Sequence, residues 1–224
     1  MSVARRAKAV AFDMDGLMVD TEPVYWKTAS TQLRRLGHEY TQEICDQVMG
    51  RTPEFAFKLY IDLFRLDLDW RDMRDESEEI FIDLLDEGFS VTAGLTELLD
   101  ELDRREIPHC VCTSSSRRLA TEVLKRANLL DRFQFILTSD DITRGKPDPE
   151  IYSLAEARLG VEPSSTLVLE DSTAGCKSAV ASGAFCFMLK AKHNFNADFS
   201  LASGVVERLD APELFAALEQ TVAS

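Results

Sequence analysis

The sequence has little of what would mark a membrane, secreted or nucleic-acid-binding protein. None of its 224 residues belong to an apolar run long enough to span a bilayer as a helix, which takes about 20 residues. The opening MSVARRAKAVAF passes straight into an apolar segment without the pattern of a secretory leader. Five cysteines (Cys45, Cys110, Cys112, Cys176 and Cys186) contain no C-x-x-C and are odd in number. Cys110 and Cys112, at strand spacing, read as small buried hydrophobes, and this usage points to a reducing cytoplasm. The three histidines, His38, His109 and His193, have no spacing that suggests a zinc site or a catalytic dyad. Cations are in deficit, 25 Lys and Arg against 39 Asp and Glu, for a net charge of -14. Such a chain is repelled by nucleic acid and by anionic membranes, so neither is expected as a partner. A small anionic substrate remains compatible, because a local cation can reverse the field inside a site.

What is present begins with AKAVAFDMDGLMVDTE, Ala7 to Glu22. An apolar run, Ala9 to Phe12, reads as a buried strand. It ends in Asp13-Met14-Asp15-Gly16. A buried strand does not tolerate unpaired carboxylates, so they belong at its carboxyl edge, where open α/β sheets place their ligands. Gly16 lets the chain turn sharply just after them. Two carboxylates at one tip repel or share a cation, and such oxygen ligands suit Mg²⁺. Alone, the stretch also reads as a solvated acidic turn. As an EF-hand loop it fails, because the fifth ligand position falls on Leu17.

Past Pro23 the pattern is helical for more than sixty residues. Thr21 is placed as the N-cap of a helix from about Val24 to Leu36, and Thr41 as the cap of a second helix to Met49. Helices are expected again over Phe55–Phe64 and Asp69–Leu85. Near Gly88 the character changes. Strands are read at Ile107–Cys112, Phe133–Thr138, Thr166–Leu169 and Ala184–Leu189, with a short one near Val205-Val206. Helices alternate with them: one to Arg105, then Leu119–Asn128, Glu150–Leu159, Thr173–Ser182, and one opening at Pro212. Alternation of this kind predicts an α/β fold with a parallel sheet. The helical block is an insertion behind the first strand and is placed to act as a lid. The expected division is 1–19 with 89–224 as the core domain and 20–88 as a helical cap.

Polar clusters close three of these strands, and a lysine loop follows another. Asp13 and Asp15 end the first, Thr113 and Ser114 the second, Glu170 and Asp171 the fourth, and Lys146 lies in the loop after the third. Each cluster alone reads as a cap, a turn or a solvated corner. A parallel sheet brings all of these carboxyl ends to one edge, which makes a single site.

With FDMDG, TSS, GKPDP and LEDSTAG in this order, the chain resembles the haloacid dehalogenase-like superfamily of phosphotransferases, in the branch with a helical cap after the first strand. The resemblance spans nearly the whole chain. It implies a three-layer Rossmann-like core with an inserted helical cap, Mg²⁺ as cofactor and an aspartyl-phosphate intermediate. By the same resemblance Asp13 is the nucleophile and Asp15 the general acid/base. Thr113 and Ser114 bind phosphate, and Lys146 steadies nucleophile and phosphate. Glu170 and Asp171 bind the metal together with Asp13 and the Asp15 backbone carbonyl. The residue chemistry agrees: a carboxylate attacks a phosphoryl group only when the repulsion between anions is relieved, which a metal and a lysine can do.

Asp15 favours phosphoryl transfer over dehalogenation, because the superfamily's dehalogenases lack an aspartate there. The motifs resemble both β-phosphoglucomutase-like proteins and phosphatases of small sugar or nucleoside phosphates. Against the mutase pattern, Tyr25 stands where a histidine is expected and Pro53 where an arginine is expected, and Asp75-Glu76 is acidic where that pattern is cationic. The expected activity is therefore hydrolysis of a small phosphorylated metabolite, with a sugar phosphomutase as the alternative. A non-catalytic binding protein of the same fold is a third reading, disfavoured by the intact acidic and lysine positions. Tyr25, Gly50 and Arg51 are the candidate substrate residues of the cap, and a monomer or weak homodimer is expected.

Overall fold

The run Ala9–Phe12 forms β1, buried at all four positions near the middle of a six-stranded sheet. The structure is a computed structural model describing residues 6–48, 52–191 and 193–218. After β1 comes a two-residue strand, β2 (Val19–Asp20), then the helices α1 (Glu22–Arg35), α2 (Gln42–Val48), α3 (Pro53–Phe64) and α4 (Trp70–Leu84). The chain returns through β3 (Ser90–Val91) and then alternates: α5 (Leu95–Arg104), β4 (His109–Cys112), α6 (Arg117–Arg126), β5 (Ile136–Leu137), α7 (Glu150–Leu159), β6 (Thr166–Glu170), α8 (Thr173–Ser182), β7 (Phe185–Leu189), β8 (Gly204–Val206) and α9 (Pro212–Ala217). Among the described residues no helix is long and apolar enough to cross a membrane.

The chain divides into two compact units, one of Met1–Asp20 with Ser90–Ser224 and one of Thr21–Phe89. In the first, the strand order is β5-β4-β1-β6-β7-β8 and every neighbouring pair is parallel. Phe12 lies opposite both Val111 and Leu169. One residue on, Asp13 is therefore level with Cys112 and Glu170, so the register alone gathers three strand tips. The central strands are buried on both faces, as parallel sheets require. On one face Ala11, Cys110, Cys112 and Val168 pack with Ile151, Tyr152 and Ala155 of α7 and with Cys176 and Ala179 of α8. The stripe Leu95, Leu98, Leu99 and Leu102 of α5 is fully buried, each leucine contributing about 1.5–3 kcal/mol of transfer free energy. All five cysteines are free thiols, and Cys110 and Cys112 lie wholly in the core.

The regular elements described in the second unit are all helices. Leu33, Ile44, Phe57, Tyr60 and Met73 form its core, and the buried Gln32 side chain donates to Met73 O at 2.7 Å, tying α1 to α4. Thr52 caps α3 by accepting from Phe55 N, and Asp69 caps α4 by accepting from Arg71 N. Thr41 accepts from Ile44 N, as its place before α2 predicts.

Two readings need correction. Thr21 holds the N-cap position of α1, but its side chain makes no cap bond, and its backbone is already helical. The strand expected over Phe133–Thr138 shrinks to Ile136–Leu137, because Leu130–Arg132 is a helical turn and Phe133 instead packs its ring on Phe12. At the two unit boundaries the chain pairs with itself: Val19 opposes Val91 and Asp20 opposes Ser90 in an antiparallel ribbon.

Candidate active site

The tip of β1 places the first carboxylate. Asp13 N donates to Leu169 O at 2.9 Å, so the residue remains bound to β6 after the strand has formally ended. The chain then turns. Asp15 bridges to Val19, and Gly16 N donates to Val19 O at 2.9 Å. Gly16 has φ +80°, and a Cβ there would stand 2.3 Å from Asp171 Oδ2 and 2.9 Å from His193 Nε2. Backbone conformation and close approach both demand glycine.

Lys146 reaches the same tip from the loop after β5. Its ammonium donates to Asp13 Oδ1 at 2.6 Å, to Glu170 Oε1 at 2.6 Å and to Cys112 O at 3.0 Å. The loop is fixed by its neighbours: Glu150 accepts from Thr143 N and Arg144 N, and Ser178 Oγ donates to Asp148 O at 2.6 Å. Burial alone would lower the Lys146 pKa, but the charges of Asp13 and Glu170 outweigh it and raise it, so the lysine is a fixed cation.

Glu170 and Asp171 end β6. Glu170 is fully buried, and both of its oxygens are taken up. Oε1 accepts from Lys146 and from Tyr152 OH, and Oε2 accepts from Asp171 N, Ser172 N and Ser172 Oγ. Burial would raise its pKa, but Lys146, Tyr152 and Ser172 hold it below its ordinary value. Ser172 also caps α8, accepting from Gly175 N. A Cβ on Gly175 would fall 1.7 Å from Glu170 Oε1, so the helix can start this close only with glycine there. Asp171 accepts from His193 Nε2 at 2.8 Å through Oδ2, and Asn194 Nδ2 donates to its backbone carbonyl.

Asp13, Glu170 and Asp171 each offer an oxygen within 4.8 Å of the others. Three buried carboxylates face one buried ammonium, which leaves an excess of negative charge. Burial first and the neighbouring carboxylates after it raise the pKa of Asp13, against the lowering effect of Lys146, and burial raises that of Asp171, against the lowering effect of His193 and then Lys146. An all-oxygen, anionic donor set in surplus over its lysine fits a hard divalent cation.

Beside this cluster Asp15 is held by hydroxyls. Ser115 Oγ donates to Asp15 Oδ2 at 2.7 Å, and Thr113 Oγ1 approaches the same oxygen at 3.5 Å while accepting from Ser115 N. Thr113 is buried and Ser114 exposed. The structure thus gathers Asp13, Lys146, Glu170 and Asp171 in one contact network and joins Thr113 to Asp15. In the helical unit Tyr25 is partly exposed and packs on Phe81, with ring centroids 4.6 Å apart. Gly50 and Arg51 lie outside the described residues. Four participants were missed: Ser115, Tyr152, His193 and Asn194. The signal for the last two was available, since they follow β7 at the same carboxyl edge of the sheet.

The family model described as haloacid dehalogenase-like hydrolase matches residues 10–189. A phosphorylated carbohydrates phosphatase from Thermotoga maritima is 31% identical over 79% of this chain and 82% of its own length. A validoxylamine A 7'-phosphate phosphatase from Streptomyces hygroscopicus subsp. limoneus is 32% identical over 85% of this chain and 89% of its own. The crystal structure of CbbY from Rhodobacter sphaeroides in complex with phosphate superposes with a TM-score of 0.85 over 95% of this chain and 99% of that one, at 23% identity, a likeness of fold. With the family match spanning most of the chain, this protein belongs to the haloacid dehalogenase-like hydrolases.

Proposed function

We propose that this hydrolase is a Mg²⁺-dependent phosphatase that releases phosphate from a small phosphorylated metabolite, a sugar or nucleoside phosphate, by way of a phosphoryl group carried on Asp13. The observation that carries the reading is the convergence of Asp13, Glu170 and Asp171 on one another and on Lys146. The relatives named as phosphatases support it.

In this reading Asp13, Asp171 and the Asp15 backbone carbonyl, with Glu170 beside them, would hold Mg²⁺, which would supply positive charge to the phosphoryl oxygens. Asp13 attacks phosphorus as the bond to the leaving oxygen breaks, and Asp15 gives that oxygen its proton. Asp15 then takes a proton from water, the water oxygen bonds to phosphorus, and the bond to Asp13 breaks. Phosphate leaves and both aspartates are restored. Thr113 Oγ1 and the backbone at Ser114 hold phosphoryl oxygens, which is chiefly a matter of positioning. Lys146 offsets charge on Asp13 and on the transferring group.

Choice among monoesters we assign to the helical unit, through Tyr25, Gly50 and Arg51. Hydrolysis is favoured over a sugar phosphomutase because Tyr25 and Pro53 stand where the mutase pattern has a histidine and an arginine, and Asp75-Glu76 is acidic where that pattern is cationic. The test is phosphate release from a panel of phosphorylated sugars and nucleosides with Mg²⁺. It includes β-glucose 1-phosphate with trace glucose 1,6-bisphosphate, for which glucose 6-phosphate is followed in parallel. Free phosphate as the main product from any member, abolished by chelator, supports the reading. Bisphosphate-dependent glucose 6-phosphate with little free phosphate would replace it with the mutase.

A further inference from the structure

His193 stands at the end of the sheet's active edge, in the loop after β7, and sequence reasoning gave it no role. Its Nε2 lies 2.8 Å from Asp171 Oδ2, and an ionised carboxylate has only acceptors, so the ring nitrogen donates. The pair is largely shielded, with side-chain exposures of 20% for His193 and 11% for Asp171. Two further features make it a built contact. Gly16 of the first motif closes over the pair, its missing Cβ leaving room for both Asp171 Oδ2 and His193 Nε2. Asn194, the next residue, bolts the loop down: its Nδ2 donates to Asp171 O and Leu189 O at 2.8 Å each, and its Oδ1 accepts from Ala191 N at 2.9 Å. The ring is thus delivered to Asp171 by a loop that is itself tied to the Asp171 backbone.

We propose that His193 is a positioning residue for the divalent-cation site, fixing the Asp171 carboxylate by its Nε2–H hydrogen bond so that the carboxylate meets the cation already oriented. The proposal rests on the reading of Asp171 as a metal-binding carboxylate. His193 acts through Asp171 and not on the cation itself: among the described residues, those with oxygens or nitrogens mutually within reach of one ion are Asp13, Glu170 and Asp171, and His193 is not one of them. A carboxylate held on one oxygen loses less rotational freedom on binding than one free to turn, which is how hydrogen-bonded partners behind metal ligands raise affinity.

The experiment measures Mn²⁺ binding to the whole protein by electron paramagnetic resonance of the free ion, without substrate. The proteins compared are the parent, His193→Ala, and His193→Gln, whose side-chain amide can replace the donor. His193→Leu, similar in bulk and without a donor, carries the comparison should the alanine variant not fold. The expected result is a dissociation constant raised about tenfold or more in the alanine or leucine variant, with the glutamine variant within about threefold of the parent. Parent-like binding by the donor-free variants overturns the proposal, and so does a glutamine variant as weak as alanine, which would reduce His193 to packing. A parent that binds no Mn²⁺ overturns the metal reading itself, and this proposal with it.

Discussion

Lys146 Nζ lies 2.6 Å from Asp13 Oδ1, although 133 residues separate them in sequence. The contact exists because β1 and β4 are parallel neighbours in register and the loop after β5 bends back across their tips. The same ammonium also bonds to Glu170 Oε1, so one cation is shared by carboxylates at the ends of two strands. Removing Lys146 leaves both carboxylates with unbalanced charge out of contact with water.

Asp13→Asn should retain the fold, since the amide keeps an oxygen to accept from Lys146. It should lose phosphate release by about a thousandfold or more, because an amide is no nucleophile at phosphorus. Phosphate release and near-ultraviolet circular dichroism on the same preparation check it. A folded variant with parent-like turnover would remove Asp13 from its role.

Lys146→Ala should harm both stability and turnover. It strips Asp13 and Glu170 of their cation in a buried setting, where breaking such a pair costs about 3–5 kcal/mol. Urea denaturation with and without Mg²⁺ reads the first effect. Partial recovery of stability by Mg²⁺ is expected, because the added cation relieves the same carboxylates.

Glu170 and Asp171 should separate in their effects. Glu170 spends its oxygens on Lys146, Tyr152, Ser172 and the Asp171 backbone, whereas the Asp171 side chain accepts from His193. Asp171→Ala should raise the Mg²⁺ concentration for half-maximal activity by at least about tenfold. Glu170→Gln should act mainly on melting temperature, by placing an amide nitrogen among donors. Mg²⁺ titrations and melting curves on both variants decide it. The reverse assignment of effects would make Glu170 the principal ligand.

Glu101 provides a test of the fold away from the site. Hydrogen bonds from Arg104 and then Arg105 overcome partial burial and pull its carboxyl from 4.5 to about 2. Arg105 also donates to Phe215 O and Leu218 O, joining the end of α5 to the α9 segment. A depressed carboxyl binds fewer protons folded than unfolded, so its stabilisation is present above the unfolded pKa and is lost as pH falls toward about 2. Glu101→Gln should cost about 1 kcal/mol at neutral pH, allowing for solvent screening. The gap to the parent should shrink steadily below about pH 4.5. Denaturation midpoints over a pH series check it, and a gap independent of pH would show that charge is not its source.

Much of this was legible in the sequence because a parallel sheet turns a linear property into a spatial one. Asp13, Lys146 and Glu170 are scattered along the chain, yet each follows an apolar run, and parallel runs end at one edge. The helices Glu150–Leu159 and Thr173–Ser182 were placed to the residue, since glycine follows each and a polar loop precedes it. What escaped notice carries no period. The β2–β3 ribbon is two residues deep on each side, too short for alternation to register. Tyr152 sits among apolar helix residues, and nothing in its spacing says that its hydroxyl reaches Glu170. His193 lies in a loop whose course depends on Asn194 bonding to Asp171, a contact that exists only once β6 and β7 are side by side.

The central claim is that Asp13 carries the phosphoryl group. The parent enzyme, mixed with Mg²⁺ and an excess of a monoester it hydrolyses, should be quenched in acid during turnover and its peptides weighed. The account predicts one added phosphoryl group on the peptide containing Asp13, absent when the monoester is omitted and absent from Asp13→Asn. A phosphoryl group on a different residue, or steady phosphate release by Asp13→Asn at the parent's rate, would contradict it.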